Sequence, residues 1–389
     1  MTIEASKDSA GRRIRLGMVG GGQGAFIGAV HRLAARMDDK YELVAGALSS
    51  DPARARASAA EIGLLPDRSY GTYAEMFEHE TRRPDRMEAV AIVTPNHMHY
   101  PIAEMALRSG FHVICDKPLT RTAEEAVALA RQARAAGLVL AVTYNYSGYP
   151  MVRQARAMVA AGELGEIRVV QVEYPQDWLS ERLEATGQKQ ASWRTDPARS
   201  GAGGSVGDIG THAFHLATFV SGLEAEAVLA DLTTFVQGRQ LDDNAHVLLR
   251  FKGGARGMLW SSQVAPGNEN ALRLRVYGTR GGLEWTQENP NQLWMTPLGM
   301  PKRLYTRAGA GAYPEAARVT RIPSGHPEGY LEGFANIYAE AARAILAHRE
   351  RRTVGTDVLH PSVEDGLRGM RFIEAVVESS RQGAVWRDL

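Results

Sequence analysis

The chain has 389 residues, enough for two or three domains that each bury a real core, so a fold that depends on disulfide or metal staples is excluded. Apolar residues make 44% and charged residues 23% of it, the balance of a packed globular protein rather than a disordered or fibrous one. Forty-five basic side chains against 44 acidic ones leave a net charge of +1, which offers no field to a nucleic-acid backbone or an anionic membrane, so neither is expected as a partner.

Residues 1–13 are polar and mixed in charge, and read as a disordered lead-in without the apolar stretch of a secretory signal. Glu, Arg, Asp or Gly interrupts every later apolar run, so no membrane-spanning helix is expected. Cys115 is the only cysteine. No intrachain disulfide or cysteine-cluster zinc site is possible, which points to a reducing compartment, the cytoplasm.

Over residues 14–145, short β-branched runs alternate with Ala-rich stretches of helical period. Strands are expected at 14–19, 41–48, 89–93, 112–115 and 139–142, giving an α/β domain with a doubly wound parallel sheet of the Rossmann kind. Asp51 before Pro52, and Thr122 with Glu125 three residues on, mark helix starts, while Gly110 and Gly137 mark helix ends. Residues 146–389 change texture. A helix at 151–161 precedes strands at 167–174, 227–235, 245–251, 256–264, 272–277 and 282–285, with a hairpin turn at Lys252-Gly253-Gly254 and closing helices at 330–346 and 362–379. Leu272, Leu274 and Val276 alternate with Arg273, Arg275 and Tyr277. That pattern predicts an α+β domain with an open, mostly antiparallel sheet of five or six strands. One apolar face of that sheet is expected to pair with a copy of itself, making a homodimer or homotetramer.

The first strand runs into Gly20-Gly21-Gly22-Gln23-Gly24-Ala25-Phe26-Ile27-Gly28, and a helix carrying His31 follows. Glycines permit positive φ and a close backbone approach to a pyrophosphate, and the helix start favours the anion. Gly20, Gly22, Gln23, Gly24, Ala25, Phe26 and Ile27 are therefore candidate dinucleotide contacts, although Gly20-x-Gly22 meets only Ala25 where a third glycine is usual. About twenty positions on, where a carboxylate would contact the adenosine ribose, stands Ser49. Ser49 and Ser50 could donate to a 2′-phosphate with Arg54 as counter-charge, a lean toward NADP; Asp51 either caps the helix that Pro52 starts or supplies the carboxylate that suits NAD.

Strand 112–115 ends in Asp116-Lys117-Pro118, which brings Lys117 to the ligand crevice unless it is an ordinary strand-end lysine. Further on, Asp208-Ile209-Gly210-Thr211-His212 follows the flexible Ser200-Gly201-Ala202-Gly203-Gly204. On a helix that starts near Asp208, the i and i+4 spacing places its carboxylate and the His212 imidazole on one face, where the imidazole can take a proton at neutral pH.

Taken in order, these residues resemble the Gfo/Idh/MocA oxidoreductase family, named for glucose-fructose oxidoreductase, inositol dehydrogenase and a rhizopine-catabolism protein. The likeness spans nearly the whole chain. It rests on the glycine fingerprint with His31, on Thr94-Pro95-Asn96 with His99, on Asp116-Lys117-Pro118 in place of Glu-Lys-Pro, and on Gly203-Gly204 followed by Asp208 and His212. The resemblance implies an N-terminal Rossmann domain, a C-terminal domain for substrate and oligomerisation, and NAD or NADP as cofactor. It also implies cofactor contacts at Thr94, Pro95, Asn96, His99, Asp116 and Lys117, and an active site of Lys117, Asp208 and His212 that oxidises a ring hydroxyl of a sugar, glycoside or inositol.

In that active site His212 is expected as general base, Lys117 as the group that binds the reacting oxygen and relays the proton, and Asp208 as the holder of a neighbouring hydroxyl. Tyr146, Trp193 and Arg194 are candidate substrate contacts, with Tyr144, Tyr149 and Trp178 nearby in sequence, and His326 either closes the pocket or caps the next helix. The chain departs from the family pattern in three places: Gly22 to Gly28 is longer than usual, Asp116 replaces glutamate, and His215 stands where aspartate is frequent. Asp208, His212 and His215 at helical spacing could present metal ligands. Nicotinamide chemistry needs no metal, so none is expected, and His215 reads as a core histidine. Two rival functions are a dinucleotide-binding regulator without catalysis and a reductase of an imine or tetrapyrrole.

Overall fold

Short runs of β-branched and small apolar residues make five buried strands: β1 (Ile14–Gly20), β2 (Tyr41–Ala47), β3 (Ala89–Val93), β4 (His112–Cys115) and β5 (Leu140–Val142). The computed structural model describes residues 11–389, so the lead-in expected over residues 1–13 lies almost wholly outside the described residues. The five strands pair in parallel in the order β2-β1-β3-β4-β5. A single parallel bridge from Gly46 to Ser69 extends the β2 edge. Counted as a vestigial strand, it completes the dinucleotide-binding order, whose ligand crevice opens where the strand order reverses, between β1 and β3. Gly20 and Thr94 stand at that point. Helix ends fall as the capping residues dictate: the Asp51 carboxylate accepts from Arg54 N–H, Thr122 and Glu125 form a reciprocal capping box, and Gly137 is left-handed.

One face of this sheet is covered by a helix from far along the chain. Phe334, Tyr338 and Ile345 of helix Tyr330–Arg349 share a buried cluster with Ile14, Leu16 and Met18 of β1. At the β5 edge, Val142 N–H donates to Pro361 O.

The second sheet has nine strands, not five or six: β6 (Ile167–Pro175), β7 (Ala225–Thr233), β8 (Asn244–Phe251), β9 (Arg256–Ser262), β10 (Arg273–Gly278), β11 (Gly281–Thr286), β12 (Gln292–Pro297), β13 (Arg303–Thr306) and β14 (Arg387–Asp388). Their order is β13-β12-β11-β10-β6-β9-β8-β7-β14, antiparallel except for the central β6 and β9 pair. Three strands were unforeseen: β12, one in from the edge, which does alternate with Leu293 and Met295 buried, and the two edge strands. β13 is exposed at Arg303, Leu304 and Thr306, and β14 spans two residues, so neither displays the apolar alternation that betrays a half-buried strand. Helices Pro150–Ala160, Thr211–Ser221 and Val363–Arg381 cover one face, where Phe214 stacks on Phe372 at 4.2 Å. The opposite face leaves Leu248, Met258 and Tyr277 exposed. Among the described residues no helix is long and apolar enough to cross a membrane.

Candidate active site

At the end of β1 the chain turns through Gly20, Gly21 and Gly24, all at positive φ, into helix Phe26–Met37. A Cβ on Gly28 would overlap the Gly21 carbonyl, and one on Gly20 would meet Val93 O and the Thr94 methyl. Gly28, not Ala25, therefore performs the close helix-to-strand packing of the third fingerprint glycine. Loop amides are partly committed inside the protein: Gly22 N–H donates to Leu48 O at 3.1 Å, Gln23 N–H to Ser58 Oγ at 3.1 Å and Ala25 N–H to Gly22 O at 3.0 Å. Phe26 and Ile27 begin the helix, where amides have no intrahelical acceptor, and the Thr94 hydroxyl beside Gly20 is buried without a partner. Those donors fit a pyrophosphate and a nucleotide laid across the switch point.

At the adenosine end Ser49 Oγ accepts from Asp51 N–H at 3.2 Å, and Asp51 Oδ1 accepts from Arg54 N–H at 2.6 Å. Asp51 is thus the helix cap and also places a carboxylate beside Ser49 and Ser50.

Two expected cofactor contacts face inward. The His99 ring is wholly buried with Nδ1 2.8 Å from Pro118 O and Nε2 2.9 Å from Thr94 O, so it ties the segments after β3 and β4 together. The Asp116 carboxylate accepts from Thr143 Oγ1 at 2.6 Å and lies 3.5 Å from His31 Nε2, while His31 Nδ1 meets Tyr338 OH at 2.8 Å. Burial alone would raise the Asp116 pKa, yet His31 and the Thr143 hydroxyl hold it below the usual carboxylate range. The family glutamate, shortened here, thus ties the end of β4 to Thr143 and to His31, and through His31 to Tyr338 of helix Tyr330–Arg349. Pro95 turns the chain, and Asn96 Nδ2 donates to Ser200 O at 2.8 Å.

Lys117, Asp208 and His212 come together, although they are far apart in sequence. The Lys117–Pro118 peptide is cis. Lys117 Nζ donates to Asp208 O and, at 2.9 Å, to Asp208 Oδ1. Asp208 sits in a wide π-helical turn, Val206–Gly210, that runs on into helix Thr211–Ser221, so helical backbone begins just before Asp208, near where it was expected, and the two side chains share a site. Gly204 is glycine because a Cβ would overlap the Asp242 carbonyl, and the Asp242 carboxylate accepts from the N–H groups of Gly204 and Val206. Burial pushes the pKa of Asp242 up to about 6 despite those bonds.

His212 is buried among Tyr146, Tyr144 and Tyr174, whose rings stand edge-on at 4.9, 5.7 and 6.4 Å. Its Nδ1 has no partner in the protein. Burial first, then the Lys117 charge, lower its pKa well below the ordinary histidine value, so the ring is neutral at physiological pH. Asp208 would be raised by burial, but Lys117 and Arg194 hold it in the charged form, below the usual carboxylate range.

The remaining candidates divide. The Tyr146 hydroxyl is bonded to that of Tyr174, which donates to Asn270 Oδ1 at 2.7 Å. Arg194 Nε is 3.3 Å from Asp208 Oδ2, and its guanidinium lies 4.3 Å over the Trp193 ring. Trp193 itself donates to Gln190 Oε1 at 3.3 Å. Tyr149 is buried against Trp285 and Tyr144 is bonded to Thr211, so both serve packing. His215 stacks on Tyr144 at 4.3 Å, behind the site. His326 lies in an exposed turn, and Glu332, not His326, caps the helix by accepting from Gly329 N–H at 2.8 Å. Gln263, Tyr174 and Asn270 carry no motif and were not foreseen; only strand pairing brings them to Asp208 and His212.

The model of an oxidoreductase family with an NAD-binding Rossmann fold matches residues 14–144, and that of the GFO/IDH/MocA C-terminal domain matches residues 152–284. The chain belongs to the Gfo/Idh/MocA oxidoreductase family. Within the family it is similar to an oxidoreductase from Sinorhizobium meliloti, 58% identical with a TM-score of 0.87 and 97% of this chain and 99% of that one covered. An inositol dehydrogenase homologue from Azotobacter vinelandii, solved with NADH and myo-inositol, is 39% identical with a TM-score of 0.92 over 97% of this chain and 98% of that one. The levoglucosan dehydrogenase of Pseudarthrobacter phenanthrenivorans is 28% identical over 97% of this chain and 98% of its own length. This Gfo/Idh/MocA member is therefore an oxidoreductase whose first unit is an NAD-binding Rossmann fold.

Proposed function

We propose that this oxidoreductase oxidises a ring secondary hydroxyl of a sugar, glycoside or inositol, with NAD as hydride acceptor. The observation that carries the proposal is the meeting of Lys117, Asp208 and a neutral His212 at the carboxyl end of the parallel sheet. The dinucleotide, when bound, supplies the carbon that takes up the hydride. Its phosphates would be held by the first-turn amides of Phe26 and Ile27, and its nicotinamide end by the Thr94 hydroxyl beside Gly20. The Asp51 carboxylate beside Ser49 would repel a 2′-phosphate, which favours NAD over NADP, in keeping with the NADH-bound relative.

An ammonium has three donors. Lys117 spends two on Asp208 and keeps the third for the substrate oxygen. That contact orients the hydroxyl and stabilises the charge that develops as its proton leaves. His212 is neutral, its Nδ1 is buried, and neither ring nitrogen is hydrogen-bonded among the described residues, so Nε2 is the nitrogen that accepts the proton. Asp208 carries Lys117 and anchors the adjacent hydroxyl of a vicinal pair, which selects polyols over simple alcohols. The Tyr146–Tyr174–Asn270 chain supplies hydroxyl and amide groups to a polar ring.

The test is the formation of reduced nicotinamide when purified protein meets NAD or NADP with inositols, free pyranoses and glycosides. Turnover with NAD on a cyclic polyol is expected. Tight dinucleotide binding with no turnover on any of them would overturn the proposal in favour of a regulator.

A further inference from the structure

Both carboxylate oxygens of Asp208 are held by side chains of this protein. Lys117 holds Oδ1, while Oδ2 accepts from Gln263 Nε2 at 2.9 Å and faces Arg194 Nε at 3.3 Å. Gln263 is 3% exposed and follows β9 directly. Its backbone is fixed on both sides, N–H donating to Asp243 O at 2.8 Å and carbonyl accepting from Leu179 N–H at 3.1 Å. The amide is thus delivered from a rigid frame. Arg194 comes from a different kind of element, the short helix Lys189–Arg194, in a segment that also leans on Asn96 and Arg121 through the carbonyls of Ser200 and Ala198.

A carboxylate held through one oxygen can still turn about its Cβ–Cγ bond. A second donor on the other oxygen fixes its plane. Arg194 already brings one cation to Oδ2; glutamine adds a directed donor there without charge, so it fixes the plane without a further cation to compete with Lys117.

We propose that Gln263 is a positioning residue of the hydride-transfer site, acting through Asp208 to fix the carboxylate plane on which Lys117 is carried and so to aim the remaining ammonium N–H at the reacting oxygen. The catalytic consequence rests on the proposed function; the clamp itself does not.

Gln263→Leu removes the donor, and Gln263→Glu makes it conditional on pH. A protonated glutamic acid donates to Asp208 Oδ2 as the amide does, and two carboxyls sharing a site raise the pKa of one of them. Lys117, Arg194 and His212 are the charged or titratable groups that face Asp208, with Asp116 behind His212 and the phenols of Tyr146 and Tyr174 alongside. Gln263→Leu is expected to lower kcat on the order of 10- to 100-fold, the cost of misplacing a catalytic group by about 1 Å, with NADH affinity and Tm close to the parent. Gln263→Glu is expected to approach parental activity at the acidic end and to add a descending limb as pH rises.

Parental kcat in Gln263→Leu, or a Gln263→Glu profile parallel to the parent, would overturn the proposal. Gln263→Glu carries the kinetic test should Gln263→Leu not fold. Crystal structures of the parent and of the variant that folds decide the clamp independently of turnover. An Asp208 carboxylate that has rotated away from Lys117 Nζ in Gln263→Leu, or whose Oδ2 is released from Gln263→Glu at high pH, supports it; an unmoved Asp208 overturns it. A parent that turns over no polyol defeats the proposed function alone, because the structural comparison still decides the clamp.

Discussion

Replacing Lys117 by alanine removes the one amine that joins Asp208 to the reacting oxygen while leaving the glycine loop untouched. The expected result is a loss of kcat on the order of 10²- to 10⁴-fold, the range for a positioned proton-transfer group, with NADH affinity near the parental value by fluorescence titration. Near-parental kcat in Lys117→Ala would remove Lys117 from the chemistry. His212 makes a prediction about pH. Its pKa is lowered below the ordinary 6.5 by burial and then by the Lys117 charge, so the base form persists as the medium is acidified. The acidic limb of kcat/KM should lie below pH 6.5, and His212→Asn should abolish that limb together with most of the rate. Lys117 and the spacing from Asp208 to His212 were legible in the sequence because a strand end and a helical repeat are local. Gln263 was not, since its approach to Asp208 depends on which strands lie side by side.

Elements translate such placements into stability. In the turn after β1, Gly28 packs against Gly21 with no room for a Cβ, whereas Gly24 has positive φ but open space around it. Gly24→Ala should cost about 1 kcal/mol from the left-handed backbone alone. Gly28→Ala should cost several times more and should also weaken NADH binding, because the helix start must shift; urea denaturation with a parallel NADH titration measures both. Equal costs at the two positions would contradict the packing. At β4, His112 Nδ1 accepts from Val139 N–H at 3.0 Å, which only a neutral ring can do, and burial lowers its pKa to about 4. Between pH 6.5 and 4 the unfolded chain therefore binds a proton that the folded one refuses. Stability is present in full above 6.5 and falls as pH drops through that window, by about 3 kcal/mol at most from this group. Unfolding free energies across the window should fall less steeply in His112→Gln than in the parent. Helix caps such as Asp51 and Thr122 were readable because capping is local chemistry, while β13 and β14, exposed or two residues long, left no periodic trace.

For the whole molecule, the bare face of the nine-stranded sheet carries Leu248, Met258 and Tyr277 in the open, a combination that suits a second copy of the chain. We propose a homodimer or homotetramer formed through this face, and the double variant Leu248→Glu with Met258→Glu should shift the mass measured by light scattering toward the monomer while retaining NADH binding. A monomeric parent would refute the proposal. The parallel sheet, the glycine turn, the strand end at Lys117 and the family resemblance all followed from the sequence by itself, because buried alternation, capping and turn chemistry act over a few neighbouring residues. Only the tertiary structure decided that His99 and Asp116 face inward, that helix Tyr330–Arg349 shares a core with β1, and that Gln263 and Arg194 converge on Asp208. These contacts join residues far apart in the chain, and which of them form depends on how two sheets and their helices bury their apolar faces together, a choice that no local pattern encodes.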